Sequence, residues 1–388
     1  MRIVDICHAS IPISRYADPA LSSGGLDTSV VAVATDVVRD GRRVVGYGFG
    51  SIGRFAQDGL IRDRFAPRLL RAEMTSLLTE DGANLDPFRA WSMMMAGEKP
   101  GGHGERCVAV GTLDMAIWDA AAKISSQPLY RFLSERLRPD GNAAPNVPVY
   151  AGGGYYYPNR DIERLSDEIR RLSDHGYSRV KIKIGAQPVT RDLKRVEAAA
   201  RLVGPDHLAV DAMNAYDAQG ARSAAAALSP LGLWWFEDIC DPLDFETLAT
   251  VVQGYGGAIA AGEALFSDAE ARLLDTYGGL RRDKDILLFD PVHCYGLPGY
   301  LRIVRCLEDR GWPRRAFWPH GGHMFCLHLV RALGLGGAEV NPLCFQPFGG
   351  LSDGTIVADG RAAPPDAPGI GFETKAALHR LFQELVGP

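Results

Sequence analysis

Beyond a stretch rich in Pro, Gly and Asn at Arg138 to Pro148, short apolar runs alternate with segments whose apolar positions recur at helical spacing. In order they are VPVYAG, DIERLSDEIRRLSDHG, RVKIKIG, Thr190 to Leu202, and HLAVDAMN. Apolar runs of that length predict strands and the longer periodic segments predict amphipathic helices, so this part of the chain reads as consecutive βα units. The part before it reads differently. Residues 1–14 predict a strand, and TSVVAVATDVVRDGRRVVGYG predicts a hairpin turning at Asp40-Gly41, a pair that tolerates the positive φ such turns need. Helical periodicity follows in RFAQDGLIRDRFAPRLLRAEM and in Val108 to Lys123, the latter nearly apolar on all sides and therefore expected to be buried.

Each apolar run of the second part ends on a polar side chain. Lys183 ends VKIK, Asp211 ends LAVD, Glu237 ends WWFE, Glu263 ends IAAGE, Asp290 ends ILLFD and His320 ends AFWPH, at separations of 28, 26, 26, 27 and 30 residues. That spacing is about one βα unit of a (β/α)8-type barrel, whose full length is typically about 250 residues. The predicted fold is an α/β barrel of the TIM type behind an α+β N-terminal domain. Parallel staves bring their C-terminal ends to one face, so these ionisable groups are expected to meet there. A single acid at a strand end is ordinarily a helix N-cap or a loop residue. A whole series at one period is not explained that way.

Asp211, Glu237 and Glu263 come from consecutive strands and repel one another unless a cation joins them. Oxygen donors without Cys or His favour Mg2+ over zinc. In RVKIKIG, Lys181 and Lys183 point to the same side of the strand. Two adjacent ammoniums with partial burial are expected to lower the lysine pKa towards neutrality, which makes Lys183 the candidate general base and Lys181 its partner. On neighbouring strands, Asp290 can orient the imidazole of His320 and stabilise its cation, giving a second acid/base. His323 completes HGGH, but an irregular turn is a poor frame for a metal pair.

Composition narrows the field. The chain has 388 residues, 46% hydrophobic and 23% charged, with a net charge of -5 spread over mixed signs. There is no basic stripe for nucleic acid and no polybasic patch for a membrane. No apolar stretch is long enough to span a bilayer, and MRIVDICHAS lacks the marks of a signal peptide, so a soluble cytoplasmic protein is expected. Cys7, Cys107, Cys240, Cys294, Cys306, Cys326 and Cys344 are scattered and form no C-x-x-C pair, which fits reduced thiols. Gly48-Phe49-Gly50-Ser51-Ile52-Gly53 satisfies G-x-G-x-x-G, the basis of a nicotinamide-oxidoreductase alternative. It ends a hairpin arm, whereas a dinucleotide site needs a parallel βαβ unit.

Lys-x-Lys on the second barrel strand, acids ending the third to fifth, Asp on the sixth and His on the seventh together resemble the enolase superfamily, in its mandelate racemase-like subgroup. The resemblance covers nearly the whole chain. It implies an α+β capping domain over residues 1–137, a (β/α)7β barrel over 138–350, and a C-terminal segment, 351–388, containing DAPGIGFE and packing back on the cap. It further implies Mg2+ on Asp211, Glu237 and Glu263, Lys183 and His320 as the acid/base pair with Asp290 in support, and a homo-oligomer. VDAMNAYD, WFEDICDP and WPHGGHMF are most similar to members that dehydrate D-tartrate, which implies a small acid-sugar substrate. A racemase or epimerase uses the same groups on one carbon, and the motifs leave that alternative open.

Two departures affect the surroundings of the ligands. Asp211-Ala-Met-Asn214 stands where Asp-x-Asn is commoner, and Glu237-Asp238-Ile239 where Glu-Glu-Pro is commoner, so Asn214 and Asp238 are peripheral candidates. The small loop Leu21-Ser22-Ser23-Gly24-Gly25 is expected to close over the pocket, with Ser22 and Ser23 as substrate contacts. Lys99, in GEKPGG, is the candidate for a distal carboxylate. Glu339, ahead of the last strand, is not counted in the catalytic set.

Overall fold

Strand-forming residues at the N-terminus pair as an antiparallel sheet of β1 (Ile3–Pro12), β2 (Asp27–Arg39) and β3 (Arg42–Phe49), in that spatial order. The computed structural model describes the chain except for Pro19, residues 22–24, residues 139–143 and Pro388. Ser22 and Ser23 therefore lie outside the described residues. At the hairpin tip Asp40 and Gly41 have φ of 48° and 74°, as the sequence requires. The apolar helix Glu105–Ile124 is buried along its length against this sheet. Its close approach depends on glycine: a Cβ on Gly46 would lie 2.0 Å from Ala116 O, and one on Gly48 would lie 2.4 Å from Thr112 O. Gly48, the first glycine of the G-x-G-x-x-G match, thus serves helix-to-sheet packing. Its strand is antiparallel to β2, which removes the dinucleotide alternative.

The barrel staves are β4 (Val147–Gly152), β5 (Val180–Lys183), β6 (Leu208–Asp211), β7 (Trp235–Glu237), β8 (Ile259–Ala261), β9 (Ile286–Leu287) and β10 (Ala338–Val340). β4 to β9 pair in parallel in sequence order, and β10 pairs with β4. Residues 317–320 supply the remaining, irregular stave: Trp318 N donates to Leu287 O at 2.9 Å, His320 N to Leu288 O at 3.2 Å, and Gly336 N to Phe317 O at 2.9 Å. Helices Asp161–Asp174, Val189–Val203, Ala218–Leu228, Phe245–Gly254, Asp268–Tyr277, Leu297–Glu308 and Met324–Leu333 follow the first seven staves. This is the (β/α)7β barrel behind an α+β cap that the spacing and the resemblance predict.

Two local details free the strand-end acids for other work. Asp217, Asp244 and Ser267 cap the next three helices, accepting from Gly220 N at 2.7 Å, Thr247 N at 3.0 Å and Glu270 N at 3.2 Å. Asp211, Glu237 and Glu263 are therefore not caps. In addition, β5, β6 and β7 pair so that Lys183, Asp211 and Glu237 are mutually in register, and so are Lys181, Ala209 and Trp235. With side chains alternating, this builds an upper polar level and a lower level two residues down. Beneath the polar level, Tyr150, Ala209, Trp235, Ala260, Leu288 and Trp318 form a buried apolar plug.

The C-terminal segment touches both parts. β11 (Arg361–Ala362) pairs antiparallel with β4, and the helix Ala376–Val386 returns to the cap, where Phe382 stacks on Tyr47 with ring centroids 4.6 Å apart. Between them Lys375 is buried and donates to Gly349 O. Burial, opposed only by Asp353, pushes its ammonium down to about 8.

Two outcomes follow from this packing. Gly48→Ala should destabilise the protein by roughly 1–3 kcal/mol, because the new methyl meets backbone rather than a movable side chain; an unchanged denaturation midpoint would refute the packing role. For Lys375 the folded pKa lies below the unfolded one, so the penalty for its charge is in full force below about pH 8 and is relieved as pH rises towards 10.5. Stability of the wild type relative to Lys375→Met should climb over that interval by on the order of 3 kcal/mol, and chemical denaturation at stepped pH measures it.

Candidate active site

Carboxylate oxygens of Asp211, Glu237 and Glu263 lie within 4.8 Å of one another at the C-terminal ends of β6, β7 and β8. Met213 N donates to Asp211 Oδ1 at 2.7 Å and Trp235 Nε1 to Glu237 Oε2 at 2.7 Å, which orient two of the three. The third, Glu263, has a buried Oε2 with no hydrogen-bond partner. Asp238 adds another buried carboxyl, held well above the usual range by burial and then by Glu263, Asp211 and Glu237. Glu237 is pushed up to about 8, by burial first, with Lys181 opposing and Asp211 and Glu263 adding to the rise. Asp211 goes the other way, to about 2, because Lys183 and Lys181 outweigh its burial. The cluster is thus short of positive charge, its donors are all oxygen, and one buried oxygen is orphaned. Those properties fit a hard divalent ion such as Mg2+.

The lysines correct one expectation. Side-by-side repulsion was expected to lower their pKa, yet both are raised well above the usual range. For Lys183, burial is the largest influence and opposes the charge, but Asp211, to which Nζ donates, together with Tyr155 and Glu263 outweighs burial and Lys181. Lys181 sits one level lower, 1% exposed, donating to Glu237 with Glu339 Oε1 at 3.1 Å and Asp211 Oδ2 at 3.6 Å. Each ammonium finds carboxylates on neighbouring staves, a partnership invisible within one strand. When Asp211 is shared with a cation, Lys183 loses part of this stabilisation, which is the direction a general base must move.

Glu339 belongs to the same cluster, although it was left out of the expected set. Its Oε2 accepts from Gly321 N at 3.2 Å while Oε1 faces Lys181. A charged residue in the middle of the buried strand AEV was the available signal.

On the other side of the cluster, His320 Nδ1 lies 2.8 Å from Asp290 Oδ2 and His320 Nε2 lies 3.6 Å from Glu263 Oε2. Burial disfavours the imidazolium, but Glu263, the bond to Asp290, and Glu339 push its pKa up to about 9. Asp290 Oδ1 accepts from Val292 N at 2.7 Å and His293 N at 3.2 Å. Its Oδ2 also accepts from Ser51 Oγ at 2.6 Å, and Ser51 Oγ lies 3.1 Å from His323 Nε2. Burial holds His323 down at about 4, so its neutral ring can donate from Nε2 to the serine. Ser51 was missed by sequence reasoning; it reaches from the end of β3 with φ 58°, an uncommon backbone for a residue other than glycine. Asp290, His293 and His320 also lie within 4.8 Å of one another. Asp290 Oδ2 and His320 Nδ1 are already committed to hydrogen bonds there, an arrangement suited to an acid/base dyad.

The peripheral candidates divide. Asn214 N donates to Asp238 O at 2.7 Å and its Nδ2 lies 3.4 Å from Asp238 Oδ2, both residues at positive φ beside the carboxylate cluster. Lys99 is elsewhere. It lines a groove with Trp91, His103, Arg106, Phe266 and Tyr295, and none of Lys183, Asp211, Glu237, Glu263 or His320 lines that groove.

An α+β cap on a (β/α)7β barrel, with an acidic cluster between a lysine and an Asp–His pair, defines the class of protein. Residues 164–378, more than half of the chain, match the family described as enolase C-terminal domain-like, and the chain belongs to that family within the enolase superfamily. It is 26% identical over 391 aligned positions to an arabinonate dehydratase of Saccharolobus solfataricus, covering 99% of this chain and 98% of that one. It is also 26% identical to an L-talarate/galactarate dehydratase of Salmonella typhimurium, covering 98% and 90% respectively. Among solved structures, a racemase from Streptomyces coelicolor with bound magnesium superposes with a TM-score of 0.74 at 24% identity, covering 97% of this chain and 99% of that one. No helix among the described residues is long and apolar enough to cross a membrane.

Ser51→Ala removes the hydroxyl shared by Asp290 and His323 and leaves a buried imidazole nitrogen without its partner. The expected cost is about 1–3 kcal/mol, read as a lower urea midpoint; a change within about 0.5 kcal/mol, the range of an ordinary surface substitution, would show that the contact does not hold cap to barrel.

Proposed function

We propose that this chain is a Mg2+-dependent acid-sugar dehydratase whose substrate is D-tartrate, converted to oxaloacetate and water. The observation that carries the reading is that Lys183 and His320 reach two different members of one carboxylate cluster, Asp211 and Glu263. Arabinonate and talarate/galactarate dehydratases among the relatives support the reaction class, and the magnesium named with the Streptomyces structure supports the metal.

Asp211, Glu237 and Glu263 would hold the ion. When bound, it supplies Lewis-acid stabilisation to negative charge that develops on the substrate carboxylate. Lys183 takes the proton from the carbon next to that carboxylate. His320, set between Asp290 at Nδ1 and Glu263 at Nε2, gives a proton to the hydroxyl leaving the adjacent carbon, so that water departs and the enol becomes the keto acid. Asp290 and Ser51 hold the ring of His320 in the orientation this requires. Lys181 lies a level below and acts by fixing Glu237, with Glu339 as its other carboxylate partner. Carboxylates on both sides of His320 keep it protonated and ready to donate, and the dehydratases among the relatives favour elimination over racemisation at one carbon.

Incubation with Mg2+ and a panel of acid sugars, including each tartrate isomer, followed for keto acid and for deuterium uptake from solvent, tests the reading. D-Tartrate should yield oxaloacetate. Lys183→Ala should lose at least about 100-fold in kcat, the usual worth of a general base, and His320→Asn should retain exchange at the α-carbon while losing elimination. EDTA should abolish turnover and Mg2+ restore it. Full turnover by Lys183→Ala, or exchange with no keto acid from any substrate, would overturn the assignment.

A further inference from the structure

The stretch from Gly48 to Arg54 carries the cap to the barrel mouth, and its last residue has no role in the reading above. Ser51 binds Asp290, and two residues on Gly53, at φ +99°, passes so near the acid that a Cβ there would come within 3.9 Å of His320 Cε1. Arg54 follows. Its Cζ lies 4.7 Å from the centre of the Phe266 ring, Phe266 meets His293 edge-on with centroids 6.0 Å apart, and the His293 ring is 5.6 Å from that of His320. Among the described residues no carboxylate lies within ion-pair distance of Arg54, although its charge acts on His293. His293 is 2% exposed and neither ring nitrogen has a hydrogen-bond partner, the nearest carboxylate oxygen to Nδ1 being Asp290 Oδ2 at 3.8 Å. A guanidinium without a carboxylate partner and an imidazole without a hydrogen bond therefore meet the same ring, Phe266, and the imidazole in turn faces His320.

We propose that Arg54, with His293 beside it, is the subsite for the second carboxylate of the substrate and selects diacid sugars over monoacids. The inference rests on the dehydratase reading and deepens it. In that reading one carboxylate lies at the acidic cluster and the leaving hydroxyl faces His320, so the far end of a short diacid extends past His320. That end needs a cation there. Lys99 lines a groove that shares Phe266 but none of Lys183, Asp211, Glu237, Glu263 or His320. A guanidinium forks onto a carboxylate through two parallel N–H donors, and an aromatic ring beneath it limits its alternative positions. Ser51 fixes the backbone from which Arg54 springs, so the cap segment that steadies the acid also sets specificity.

Malate and α-hydroxybutyrate share one carboxylate and hydroxyl and differ only in whether the far end is a carboxylate or a methyl group. Calorimetric titration of both into the Mg2+-loaded protein should show malate binding at least about tenfold more tightly, as one charge-assisted pair requires. Arg54→Gln should erase the preference, and Arg54→Lys should keep part of it. With D-tartrate, Arg54→Gln should raise KM far more than it lowers kcat. No malate preference in the wild type, whether both ligands bind or neither does, overturns the inference, as does a preference that survives Arg54→Gln. A wild type that dehydrates monoacids but not diacids sinks the subsite and leaves the dehydratase class standing. A malate preference without any turnover of acid sugars does the reverse.

Discussion

Buried carboxylate in excess of nearby ammonium is the constraint on which the rest of this molecule turns. The register of β5, β6 and β7 places Lys183, Asp211 and Glu237 on one level, and the neighbouring chain adds Asp238, Glu263 and Glu339. Two lysines share the charge unequally, since Lys181 is enclosed below and Lys183 faces the mouth. The separation of these levels by two residues of a strand is what gives adjacent lysines different work. An apolar plug of aromatic and small side chains closes the barrel beneath them and keeps water from screening the cluster from below. Isolated charges in such a setting are costly, and the orphaned oxygen of Glu263 marks where a further cation relieves the imbalance.

The cap is part of the same device. Glycines at 46 and 48 let the helix Glu105–Ile124 lie directly on the sheet, and the end of β3 then passes into the barrel mouth. There Ser51 gives Asp290 Oδ2 a second hydrogen bond beside that of His320. Packing in the cap thus bears on the orientation of His320 in the barrel. The linkage is short, running through one hydroxyl and one carboxylate oxygen.

The barrel and its strand-end residues were legible because a parallel barrel converts even sequence spacing into spatial convergence. What escaped notice depended on tertiary partners. His293 sits in ordinary-looking context, and only the folded chain brings it to His320 and Glu339 to Lys181. Ser51 lay inside a glycine motif whose pattern pointed to a different chemistry. The sign of the lysine shift was misjudged because within a strand the nearest charge to Lys183 is Lys181, whereas across the sheet it is Asp211. A lysine in a loop rich in Gly and Pro carries no direction in sequence, and Lys99 lines a groove that none of Lys183, Asp211, Glu237, Glu263 or His320 lines.

Crystals soaked in Mn2+, with anomalous scattering used to locate the ion, would show whether the three carboxylates share a metal. One strong peak is expected, bonded to an oxygen from each of Asp211, Glu237 and Glu263, at about 2.0–2.2 Å, the range typical of small divalent ions on carboxylates. A peak seated instead among Asp290, His293 and His320, or no ordered ion at the mouth of the barrel, would contradict that expectation.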